Sequence, residues 1–134
     1  MKFIAEHLGL PARDPAALKQ WYVNVLGANL VFENGQTPPA YFLSLPGGLM
    51  LEIYQSNASL KETGNNFLAG WRHLALQVDS IEEAKSTLEQ KGVSFPDPIK
   101  PAGGGGRVLF FHDAEGNLLH FVERPAGSIF RRVV

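Results

Sequence analysis

Polar and apolar positions along this chain fall into two successive blocks that run in the same order. Residues 3–10 read as a strand, with His7 alternating against Leu8. Asp14-Pro15 then starts a helix, an acidic cap followed by proline at the first helical position. Leu18, Trp21, Tyr22 and Val25 repeat at helical spacing, and Gly27 closes the helix. Residues 30–32 form a short apolar strand. Asn34-Gly35 signals a turn, and Pro38-Pro39 a loop. Residues 41–45 and 49–55 read as antiparallel strands joined at Pro46-Gly47-Gly48.

The second block repeats the order. Residues 71–78 form a strand, and Ser80 caps a helix through Gln90, with Glu83 completing a capping box. Gly92 ends that helix, and residues 93–95 are expected to form a short strand. Residues 96–106 make a loop closing on four glycines, Gly103 to Gly106, read as a flexible flap or loose loop. Residues 108–111 and 118–123 form a last strand pair around Asp113-Ala114-Glu115-Gly116-Asn117.

Each half thus reads strand, helix, three strands. Two such halves give one α+β domain with a mostly antiparallel, curved sheet and helices on its outer face. Module one spans 1–55, a polar linker 56–69, module two 70–124 and a C-terminal tail 125–134. The halves share more than order, since Glu6-His7-Leu8-Gly9-Leu10 echoes Arg72-His73-Leu74-Ala75-Leu76.

Composition narrows the class. With 134 residues, 45% hydrophobic and 19% charged, the chain suits a globular fold. A net charge of −1 gives no electrostatic reason to expect nucleic acid or a membrane as partner. No cysteine is present, which excludes disulfides, thiolate ligands and cysteine nucleophiles. No stretch has the length of a signal peptide core or a membrane span, so a cytoplasmic protein is expected.

Candidate chemistry comes from aligning the halves. His7 falls opposite His73, and Glu52 opposite His120. Side chains alternate faces along a strand, so Met50, Glu52 and Tyr54 share one face, as do Leu118, His120 and Val122. Glu123 takes the other face. Three imidazoles and one carboxylate on a concave face suit a divalent metal, and the nitrogen-rich set argues against calcium or magnesium. Four protein ligands leave open positions for substrate on a six-coordinate ion. His112 is expected at the surface or a pocket rim, and Trp21-Tyr22 in the core. Tyr54 and Arg107 are candidate substrate contacts, Arg107 for an anionic group. The glycine run lacks the GK[ST] ending of a phosphate-cradling loop.

These residues place the chain near a known family. Over residues 3–124 it resembles the glyoxalase/bleomycin-resistance/extradiol-dioxygenase superfamily, the vicinal oxygen chelate proteins. The marks are His7-Leu8-Gly9-Leu10, Asp14, Trp21-Tyr22 and Val25-Leu26-Gly27 in the first half. In the second they are His73-Leu74-Ala75-Leu76-Gln77-Val78-Asp79, Gly106-Arg107 and Phe110-Phe111-His112-Asp113-Ala114-Glu115-Gly116-Asn117.

The resemblance implies two βαβββ modules forming a cup-shaped sheet around one divalent ion (zinc, nickel, iron, manganese or cobalt). Its ligands would be His7, Glu52, His73 and His120. The family usually carries glutamate where this chain has His120. A ligand glutamate acts as base in glyoxalase-like isomerisation, which here leaves Glu52, with His120 as a second acid/base. The implied function is a lyase or isomerase whose substrate chelates the metal through adjacent oxygens and passes through an enediolate-like anion. An extradiol dioxygenase is less favoured, because its last ligand is a carboxylate. A metal-independent, antibiotic-sequestering protein with an aromatic cavity is the alternative from another class. The family's members often form homodimers that act on small molecules, with the site within one chain or between two.

Overall fold

The computed structural model describes residues 1–58 and 63–130. Residues 59–62 of the expected linker and 131–134 of the expected tail lie outside the described residues. The chain divides into two compact units, Met1–Lys61 and Glu62–Val134.

The first unit contains β1 (Leu8–Ala12), α1 (Pro15–Leu26), β2 (Asn29–Glu33), β3 (Tyr41–Ser44) and β4 (Met50–Gln55). Its sheet runs β1-β4-β3-β2. The β1–β4 pair is parallel and the other two pairs are antiparallel. Alternation decides which face is covered. Tyr41, Leu43, Leu51 and Ile53 point toward α1 and are buried with its Leu18, Tyr22 and Val25. Each such aliphatic side chain contributes about 1.5–3 kcal/mol on burial. Trp21 is only half-buried and stands edge-on to Tyr22, so Tyr22 alone of that pair is core.

α1 forms where the sequence places it. The Asp14 carboxylate accepts from the Ala17 N–H at 3.0 Å, and Gly27 ends the helix at φ 70°. Gly27 takes the left-handed conformation that a side chain would strain. β1 differs from expectation at both ends. It begins at Leu8, paired with Leu51, and residues 3–7 lie outside the strand. It continues through Pro11 to Ala12, and proline is tolerated because β1 is an edge strand.

The second unit contains β5 (His73–Gln77), α2 (Ile81–Glu89), β6 (Lys100–Pro101), β7 (Arg107–His112) and β8 (Leu118–Glu123). Its order, β5-β8-β7-β6, repeats the first sheet, again with a parallel outer pair and two antiparallel pairs. α2 packs on β7 and β8 over Leu109, Phe111, Leu119 and Phe121. The α+β reading with two βαβββ modules stands. Ser80 caps α2 by accepting from the Glu83 N–H at 3.2 Å.

Residues 93–95 correct the sequence reading, since they form no strand. Pro96 and Pro98 remove backbone donors from the segment, and the sheet position passes to the two residues of β6. Phe95 still packs, lying 5.5 Å from Phe111 and 6.2 Å from Phe121. The glycine run is no loose flap. Arg124 donates to the Gly103 and Gly105 carbonyls, and the Ala102 N–H donates to the Gly106 carbonyl. At Gly106 (φ 95°) a Cβ would collide with the Glu123 carbonyl oxygen, so only glycine fits.

Candidate functional site

In the first unit the uncovered face of the sheet carries Glu52. Gly9 and Phe42 are its register partners on β1 and β3. His7, the residue before β1, places Nε2 3.3 Å from Glu52 Oε2. Its Nδ1 lies 2.9 Å from Glu6 Oε1, and its ring stands edge-on to Phe42 at 5.3 Å. Tyr54 lies over Gly9, where an added Cβ would meet the phenol oxygen at 3.2 Å. The missing side chain at position 9 thus makes room for Tyr54 beside Glu52.

In the second unit the corresponding face carries His120, whose register partners are Ala75 and Phe110. His73 opens β5, and its ring centre lies 4.8 Å from that of His120. Phe110 packs against both rings, at 6.1 Å from His73 and 4.8 Å from His120. His73 Nδ1 lies 2.7 Å from Asn66 Oδ1, and His120 Nδ1 lies 3.2 Å from the Phe121 carbonyl oxygen. His120 is buried, 6% exposed. Burial pushes its pKa below the ordinary imidazole value; the Phe121 carbonyl works against this, and His73 and Arg124 add to it.

One pattern joins the three histidines. Each has Nδ1 within hydrogen-bond distance of an oxygen that only accepts: a carboxylate, an amide oxygen or a carbonyl. A neutral ring so placed keeps its proton on Nδ1 and leaves a lone pair on Nε2. This is the arrangement of metal-ligating histidines, whose other ring nitrogen donates to a fixed acceptor. At His7 the consequence is sharper. A neutral ring bonded to Glu6 turns a lone pair toward the Glu52 carboxylate, and a proton or a cation is needed to close that gap. The donor set therefore fits a divalent ion of the imidazole-preferring kind.

The ligand candidates come together as two pairs, His7 with Glu52 and His73 with His120. Among the described residues, no group of three or more His, Asp or Glu side chains gathers as a metal cluster. Arg107 sits elsewhere. Its guanidinium grips Glu82 of α2 at 2.8 Å and Glu123 at 2.9 Å. Those carboxylates occupy the groups an anionic substrate would need. Glu123 also accepts from the Ile81 N–H at 3.0 Å, on the helix side that its parity predicts. His112 is exposed at the end of β7, as expected. Glu6 and Asn66 were not singled out by the sequence. Glu6 falls opposite Arg72, a residue of opposite charge, in the repeat, and Asn66 lies in a polar stretch where nothing distinguishes it from its neighbours.

Comparison with known proteins agrees with the fold. The chain is 28% identical over 122 residues to the uncharacterized protein YwkD of Bacillus subtilis strain 168, covering 88% of this chain and 94% of that protein. A glyoxalase family protein of Enterococcus faecalis superposes with a TM-score of 0.75 at 29% identity, covering 90% of this chain and 97% of that one. The genomically encoded fosfomycin resistance protein FosX of Listeria monocytogenes, complexed with Mn(II) and sulfate ion, superposes with a TM-score of 0.70. That pair is 21% identical and covers 94% of each chain, so this likeness speaks to fold. A family model matches residues 4–121, and the chain belongs to the Glyoxalase/Bleomycin resistance protein/Dioxygenase superfamily.

Proposed function

We propose that the protein is a metal-dependent enzyme of glyoxalase type, a lyase or isomerase acting on a small molecule that presents two adjacent oxygens. His7, Glu52, His73 and His120 are its ligand set. The two compact units work as one domain, with the polar stretch 56–69 as their linker. The observation that carries this reading is the shared hydrogen bonding of the three histidines, which leaves each Nε2 as a lone-pair donor.

A bound divalent ion would supply Lewis-acid polarisation of the substrate oxygens. The chain's own residues supply the rest. Glu52 is the one carboxylate of the set, and its half-exposed oxygen can take up a proton from a carbon beside the chelating oxygens. His120, held neutral by burial, keeps its lone pair at neutral pH and is the second proton carrier. Phe42 flanks His7, and Phe110 flanks His73 and His120. Tyr54 is the substrate contact beside Glu52. A homodimer is part of the proposal, supported by the exposed Leu30, Val31 and Phe32 on edge strand β2. A cytoplasmic setting is part of the proposal, and a chain without cysteine is compatible with a reducing compartment.

Metal analysis after purification, and after reconstitution with nickel, zinc, iron and manganese, tests the proposal. One equivalent per ligand set is expected. The double variant His7→Ala/His73→Ala should lose it. Protein that takes up none of these ions refutes the enzyme reading and leaves the sequestering one. Full occupancy in the double variant refutes the ligand set.

A further inference from the structure

We propose that Thr63, Gly64 and Asn66 form a strap across one end of the second sheet, and that Asn66 is the positioning residue that sets the donor nitrogen of His73. The inference rests on the ligand role proposed for His73. The strap begins at a fixed point. Thr63 Oγ1 donates to Asn117 Oδ1 at 2.9 Å. Asn117 is itself held by the buried Asp113, which accepts from its backbone N–H at 3.0 Å and its side-chain amide at 2.9 Å.

Gly64 then passes close to the turn between β7 and β8. A Cβ there would lie 2.9 Å from His112 Nε2 and 3.5 Å from the Gly116 carbonyl oxygen. Asn65 accepts from the Phe67 N–H at 3.0 Å, which turns the chain. Between these anchors Asn66 delivers its Oδ1 to His73 Nδ1 at 2.7 Å, the shortest of the three histidine contacts.

That contact decides a chemical question. A free neutral histidine ring favours the proton on Nε2, the nitrogen a ligand must keep bare. An oxygen held at Nδ1 reverses the preference. The strap therefore prepares His73 before any ion arrives.

Nitrogen NMR of histidine-labelled, metal-free protein reads this directly, about two pH units above the ordinary imidazole value of about 6.5. His73 should carry its proton on Nδ1 in the parent protein. In Asn66→Ala it should shift toward the Nε2–H form, with zinc affinity falling roughly 10–100-fold. Asn66→Asp, which keeps an oxygen at the same place, should restore both. His7, which lies in the other unit, is the internal control and should not change. An unaltered His73 tautomer in Asn66→Ala overturns the inference, as does an equal disturbance of all three rings. Should the parent protein bind no zinc, the ligand reading fails, and the tautomer alone still decides the role of the strap.

Discussion

The two modules share a frame and differ in what they hang on it. In each, the last strand lies between a parallel first strand and an antiparallel neighbour, and one central position faces away from the helix. Module one puts Glu52 there, between Gly9 and Phe42; module two puts His120 there, between Ala75 and Phe110. The result is a carboxylate–imidazole pair in one half and an imidazole–imidazole pair in the other. The first sets an anionic oxygen 3.3 Å from an imidazole nitrogen. The second disfavours charge, because burial and the neighbouring ring both oppose protonation of His120. One substitution at one register position thus divides the chemistry: an anionic base on one side, a neutral donor on the other.

The covered faces differ too, and here the largest effect is expected. Leu43 and Ile53 occupy in β3 and β4 the places that Phe111 and Phe121 occupy in β7 and β8. Module two adds Phe95, and Phe111 sits 4.8 Å from Phe121 with no exposed surface. Phe111→Ala should cost about 3–5 kcal/mol of unfolding free energy, read from chemical denaturation. Ile53→Val, which removes one methyl group from the aliphatic core, should cost about 0.5–1.5 kcal/mol. A loss below about 2 kcal/mol for Phe111→Ala would show that the aromatic cluster of module two closes over the space the ring leaves.

The difference at the ligand position can be sharpened by removing charge without changing shape. Glu52→Gln takes away the only anionic donor proposed for the set, and zinc affinity should fall on the order of 100-fold, about 2.7 kcal/mol. His120→Gln removes a neutral donor and should cost about tenfold, about 1.4 kcal/mol. Titration calorimetry compares them. The reverse ranking would mean that the second module, not the first, dominates the binding of the ion.

Much of this was legible in the chain. The caps of α1 are local: Asp14, Pro15 and Gly27 act within their own helix, so the sequence specifies both ends. Strand parity placed Glu52 and His120 away from the helices and Glu123 toward them. What escaped was set partly by nearby prolines and partly by partners distant in sequence. Residues 93–95 lose their strand to Pro96 and Pro98, which follow them. The sequence offers Arg107 as a contact for an anionic group and does not reveal its carboxylates, which come from α2 and from the end of β8. Asn66 was one polar residue among several, and only the fold brings its amide oxygen to His73.

That arginine supplies the smallest effect and a last contrast. α1 is capped by its own Asp14, whereas α2 is also tied to its sheet by charge, through Glu82, Arg107 and Glu123. The Arg107 hydrogen bonds hold the Glu82 carboxyl below its ordinary 4.5. A depressed carboxyl pKa stabilises the fold in full above the unfolded value, and the contribution disappears as pH falls through the lower folded value. Both side chains are well exposed, so the gain is small and screened by salt. Between about pH 5 and pH 3 the denaturation midpoint of the parent protein should therefore fall more steeply than that of Glu82→Gln, and the two curves should converge at the acid end. Added salt should narrow the gap. Parallel curves across that range would mean that Arg107 is satisfied by Glu123 alone, and that the polar tie between helix and sheet in module two rests on one group, the Glu123 carboxylate.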